Sequence, residues 1–136
     1  MKEELNIILI NELQAMEGLL KALEKQHSCL IESDAVTLEN CVKEIDTYNR
    51  KIAEWEVKRR EITQGGAMRE VIYEAKDDTL EDNYRKLRRI IEETKLQKDT
   101  NELLIKQGLG FANRILNILN PSRSPKTYNS FGKVYK

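Results

Sequence analysis

Apolar residues early in the chain recur at alternating steps of four and three: Leu9, Leu13, Met16, Leu20, Leu23, His27 and Leu30. At 3.6 residues per turn this spacing lays them along one stripe and predicts a long helix over about 3–31. Ser33 and Asp34 follow as polar caps. The rhythm resumes at Leu38, Cys41, Ile45, Tyr48, Ile52, Trp55 and Ile62, with Arg59 in the one slot that lacks an apolar residue. It ends at Gly65 and Gly66, so a second helix is predicted over about 35–63. The connection between the two is short, and they must fold back on each other as an antiparallel hairpin.

Residues 67–77, AMREVIYEAKD, carry Met68, Val71, Ile72 and Ala75 and are expected to form a short linking helix across one end of a bundle. Asp78 with Glu81 resembles a capping box that opens a third helix, about 79–120, with no break before Pro121. Its seam begins Leu80, Tyr84, Leu87, Ile91 and turns polar through Thr94, Gln97, Lys98 and Asn101. Polar seam residues are expected here to fix register, as in coiled coils; the alternative is that they mark where the third helix leaves the hairpin. The expected fold is all-α: an elongated antiparallel three-helix coiled-coil bundle, residues 1–120, followed by a flexible tail, residues 121–136.

Composition agrees with long helices, being rich in charge and poor in aromatics. Formal net charge is zero, from 23 basic and 23 acidic residues, which argues against nucleic acid as a partner. The tail holds four bases, Arg123, Lys126, Lys133 and Lys136, and no acid, so residues 1–120 carry 19 bases against 23 acids. Neither an export signal nor a membrane-spanning run is legible, which predicts a cytoplasmic protein without stable membrane insertion. Cys29 and Cys41 flank the turn and read as buried thiols, although a disulfide between them is conceivable. With His27 they make only three ligands, one short of a structural zinc site, so no metal and no cofactor is expected. One histidine and no phosphate-binding loop leave catalysis without equipment, and the acids read as ion-paired helix faces. An enzyme is not predicted.

The end of the third helix is more informative. At about 100° per residue, Leu104, Ile105, Leu109, Phe111, Ala112, Ile115, Leu116, Ile118 and Leu119 spread over roughly half the circumference, opposite Lys106, Asn113, Arg114 and Asn117. Two readings stand: the helix lies between both hairpin helices, or the arc is an exposed strip for a partner helix. Gly108 within the arc either admits a close backbone or weakens the helix, and with Gly110 it makes a candidate hinge. The tail aromatics Tyr128, Phe131 and Tyr135 either dock onto the body or fold onto a partner as anchors. The candidate binding residues are therefore Leu109, Phe111, Ile115, Leu116, Leu119, Tyr128, Phe131 and Tyr135.

The hairpin LLKALEKQHSCLIESDAVTLENCVKEIDTYNRKIAEWEVKRREI, with Asp34, Leu38, Lys51 and Arg59 or Arg60, resembles that of the FlgN-like flagellar export chaperones. The last helix, entered through Asn101, Leu103 and Leu104, and the ending Tyr128, Asn129 and Gly132 are similar to the family's N-x-L-L and Y-N-x-x-G features. The link from Gly65 to Asp77 departs from the family pattern. The resemblance implies a cytosolic chaperone of the flagellar type III secretion system. It would bind the C-terminal helices of hook–filament junction proteins (FlgK, FlgL), prevent premature assembly, and escort them to an export gate component. The alternative is a structural coiled-coil scaffold or homo-oligomeric spacer whose arc is buried by self-association.

Overall fold

The computed structural model describes residues 2–121, 127–128 and 134–135. The described residues are helical apart from one pair of two-residue strands, in the order α1 (Lys2–Glu32), α2 (Ala35–Thr63), α3 (Met68–Ala75), α4 (Asp78–Leu119), β1 (Thr127–Tyr128) and β2 (Val134–Tyr135). It divides into two compact units, Met1–Asn101 and Glu102–Lys136.

The helix boundaries follow from local chemistry. Ser33 takes a left-handed conformation (φ 57°) after α1, and the Asp34 N–H donates to the Cys29 carbonyl at 3.0 Å, closing the orphaned end of the helix. Asp34 then caps α2, its carboxylate accepting from the Thr37 N–H at 3.1 Å; hydrogen bonds from Thr37 hold that carboxyl below its ordinary range. At the far end Gln64 (φ 53°) and Gly65 (φ 76°) turn the chain left-handed, and the Gly65 N–H reaches the Arg60 carbonyl. The α4 cap differs from the sequence reading by one residue. Asp77, not Asp78, accepts from the Thr79 and Leu80 N–H groups, at 3.0 and 3.2 Å, and Asp78 sits inside the first turn.

In the first unit α1 and α2 form the antiparallel hairpin, with Lys25 near Glu44 (3.6 Å) toward the turn and Glu12 against Arg59 (3.0 Å) further back. Helix α4 runs the same way as α1: Asn83 donates to Asn6 at 3.1 Å near their starts, and Asn101 donates to the Leu23 carbonyl at 2.8 Å further along. The core unites Leu5, Leu9, Met16, Leu19 and Leu23 of α1 with Ile72 of α3 and Leu80 and Leu87 of α4. Ile45, Tyr48 and Ile52 of α2 pack against it. Burying each such side chain contributes roughly 1.5–3 kcal/mol.

The helix flanked on two sides is α1, whose buried set is wider than the single stripe read from its sequence. Leu5, Ile8, Ala15, Leu19 and Ala22 are buried in addition to Leu9, Met16 and Leu23, whereas Leu13, Leu20 and Leu30 are only half-buried. Helix α2 meets the opposite fate. Its seam is the expected one, but Cys41 alone is buried, and Trp55, expected in the core, is half-buried with the Lys58 ammonium 4.4 Å from its ring centroid. Gly18 allows the close approach of α2: a Cβ there would overlap the Tyr48 ring.

Candidate functional site

The polar stretch of α4 is a bonded seam. Thr94 and Asn101 are buried, and Lys98 is exposed rather than part of the seam. The Thr94 hydroxyl returns to the Ile90 carbonyl (2.6 Å), while Gln97 Nε2 donates to Asn101 Oδ1 (3.0 Å) and stands 3.1 Å from His27 Nδ1. The Asn101 amide nitrogen donates to the Leu23 carbonyl and to Gln26 Oε1, at 2.8 and 2.9 Å. Among the described residues no buried side-chain polar atom lacks a partner, so this seam sets register without an unmet group. His27 is thus engaged with α4. Cys29 and Cys41 are free thiols that face each other in the hairpin, and burial, followed by Cys29 itself, pushes the Cys41 thiol up. No group of three or more His, Cys, Asp or Glu among the described residues could hold a metal ion.

One functional-looking charge was missed in the sequence. Glu12 is buried on α1 at 2% exposure and pairs with Arg59, the polar residue that interrupts the α2 seam. Desolvation raises its carboxyl above the ordinary carboxylate range, Arg59 opposes the rise, and Glu56 adds to it. The pair is structural in placement, joining α1 and α2 toward the end of the hairpin away from the turn.

In the second unit the apolar arc faces solvent. Leu109, Phe111, Ile115, Leu116 and Leu119 are exposed, Phe111 by 60% and Leu119 by 75%, and Leu103, Ile105 and Ile118 join them. A Cβ on Gly108 or Gly110 would meet nothing within 4 Å, so neither glycine serves a close backbone neighbour, and each lowers helix propensity. Tyr128 and Tyr135 lie on the antiparallel pair, where Thr127 stands opposite Tyr135 and Tyr128 opposite Val134, a pairing the sequence reading did not include. Phe131 lies outside the described residues, as does most of the tail that was expected to be flexible.

The family profile described as "FlgN protein" matches residues 1–136. The chain belongs to the FlgN family. That family comprises flagellar export chaperones, not enzymes. Neither a curated protein nor a solved structure matches the chain significantly. No described helix of this FlgN family member is long and apolar enough to cross a membrane.

Proposed function

We propose that this chain is a cytoplasmic chaperone of the flagellar type III secretion system that binds the C-terminal helices of hook–filament junction proteins of the FlgK and FlgL type. By covering those helices it prevents early assembly, and it escorts its cargo to an export gate component. The single observation that carries the reading is the exposure of Leu109, Phe111, Ile115, Leu116 and Leu119 on one helix of a chain in the FlgN family. An amphipathic cargo helix laid along that arc would remove apolar area from water on both partners. Tyr128, Phe131 and Tyr135 act as anchors at its end. In the same reading, the first unit is an antiparallel three-helix coiled coil whose part is to hold α4 in one register; the bonds from Asn83 and Asn101 to α1 support this.

The test is calorimetric titration of the full chain with a peptide spanning the C-terminal helix of a FlgK-type protein. A dissociation constant of about 1 μM suits a complex that must be released. Replacing Phe111→Ala and Leu116→Ala together should weaken it by about a hundredfold with unchanged circular dichroism. Deleting residues 121–136 should weaken capture while leaving helicity and melting unchanged. Unaltered affinity in the double variant would remove the arc from the binding surface. A concentration-independent dimer that buries residues 103–119 would favour the scaffold or spacer instead.

A further inference from the structure

Beyond the apolar arc, the first unit holds a second concave surface that the chaperone reading does not use. Helices α3 and α4 are joined by only Lys76 and Asp77, with Lys76 left-handed (φ 50°), so they diverge from a tight corner. Between them opens a cleft of about 490 Å³ floored by Ile72 and walled by Tyr73 and Tyr84. Tyr73 is 81% exposed, although its neighbour Ile72 is buried in the core.

The charges around this cleft are unequal. Of its cations, Arg85 is matched by Glu81 at 3.3 Å. Among the described residues Arg69, Lys76 and Arg88 form no ion pair; Arg88 rests its guanidinium 5.9 Å from the Tyr84 ring centroid. Among the lining residues, only Asp78 stands against these three, and it lies in the first turn of α4 where the helix amides offset a negative charge. A chain of zero net charge therefore concentrates a local excess of two positive charges on a concave, aromatic-lined surface. Arginine and tyrosine beside an apolar floor make up the residue composition that anchors protein partners.

We infer that the α3–α4 cleft is a docking site for a short acidic segment of a partner protein, one that sets an apolar side chain on Ile72 between Tyr73 and Tyr84 and offers carboxylates to Arg69, Lys76 and Arg88. Two features favour a peptide over a phosphate-rich ligand. Asp78 and Glu81 line the same cleft and would repel densely packed phosphates, and the floor is apolar, which a phosphodiester cannot use. Arginine forks donate two parallel hydrogen bonds to a single carboxylate, so one or two acids flanking a Leu or Phe complete the charge pattern.

The inference is separate from the cargo reading, and its probe is unrelated to a junction-protein helix. The peptide acetyl-Glu-Asp-Leu-Phe-Asp-Glu-amide is titrated into the ¹⁵N-labelled full chain at low salt. Saturable shifts confined to residues 69–88, with a dissociation constant of about 1 mM or tighter, are expected, and they should weaken several-fold at physiological salt. Arg69→Glu with Arg88→Glu should abolish them with the helical spectrum unchanged. The milder Tyr73→Ala, at a side chain that supports no packing, should weaken them several-fold. Absence of saturable shifts, shifts elsewhere, equal binding of acetyl-Lys-Lys-Leu-Phe-Lys-Lys-amide, or survival of binding in the charge-reversed chain would each overturn the inference. Tighter binding of inorganic pyrophosphate at the same residues would also overturn it, by reassigning the cleft to phosphate.

Discussion

Replacing Arg59→Met tests whether the Glu12 carboxylate is held in the hairpin by its partner. The Glu12 side chain is 3% exposed and that of Arg59 21%, and a single 3.0 Å bond joins Arg59 Nε to Glu12 Oε1. Methionine keeps most of the arginine stem but removes the charge, leaving a buried carboxylate beside Glu56. Breaking a buried pair in this way costs about 3–5 kcal/mol, and the lower end applies because Arg59 is partly wet. The effect depends on pH in a definite direction. Burial already raises the Glu12 carboxyl above its ordinary 4.5, so between that value and the folded one the native state binds more proton than the unfolded state. Stability from this group is complete below 4.5 and declines as pH rises through the folded value. Removing Arg59 pushes the folded value higher still and widens that window. Chemical denaturation followed by circular dichroism should therefore show Arg59→Met about 3 kcal/mol less stable at pH 7. Acidification toward pH 5 should recover up to about 1.4 kcal/mol per pH unit. A variant within about 0.5 kcal/mol of the parent at pH 7, or a deficit that does not shrink with acid, would refute the reasoning.

Gly18→Ala should destabilise the chain by about 1–3 kcal/mol through overpacking, because its methyl overlaps the Tyr48 ring; a double variant with Tyr48→Ala should lose that clash in thermal melts. Gly108→Ala, by contrast, meets open space and should strengthen its helix by about 1 kcal/mol, visible as slower amide exchange around residue 108. Asn101→Asp replaces a donor to the Leu23 carbonyl and Gln26 by an acceptor, and should cost about 2–3 kcal/mol in urea denaturation, whereas Asn101→Ser should cost less.

Much of the helical layout was legible because caps and breakers are local signals. Asp34, Gly65 and Pro121 bracket the elements whatever packs around them, and the α2 and α4 ranges came within a residue of the observed ones. What pattern reading left open is which helix has two neighbours. A stripe through Leu9, Met16 and Leu23 looks the same on a flanking helix as on a central one, and only assembly reveals that Ala15, Leu19 and Ala22 are covered as well. Glu12 was passed over because an acid beside an apolar stripe reads as surface. Counting outward from Ala35, the first residue of α2, brings Cys29 opposite Cys41 and Glu12 opposite Arg59 to within a residue, and two polar residues matched across a hairpin are the signal that was there to find. On the candidate surface, the width of the arc from Leu104 to Leu119 was legible as periodicity, but its exposure was not, since a wide arc serves two intramolecular neighbours as well as one foreign helix. The α3–α4 cleft left no trace in the sequence pattern, because Arg69, Lys76 and Arg88 come together only at the corner between two helices.

The most direct measurement is hydrogen–deuterium exchange of the full chain with and without the C-terminal helix peptide of a FlgK-type protein, resolved to short segments. Protection confined to residues 102–119, with exchange in 5–30 unchanged, is the predicted result. Unaltered exchange in that segment at saturating peptide, or protection found only in the hairpin, would contradict the assignment of the exposed apolar arc as the cargo surface.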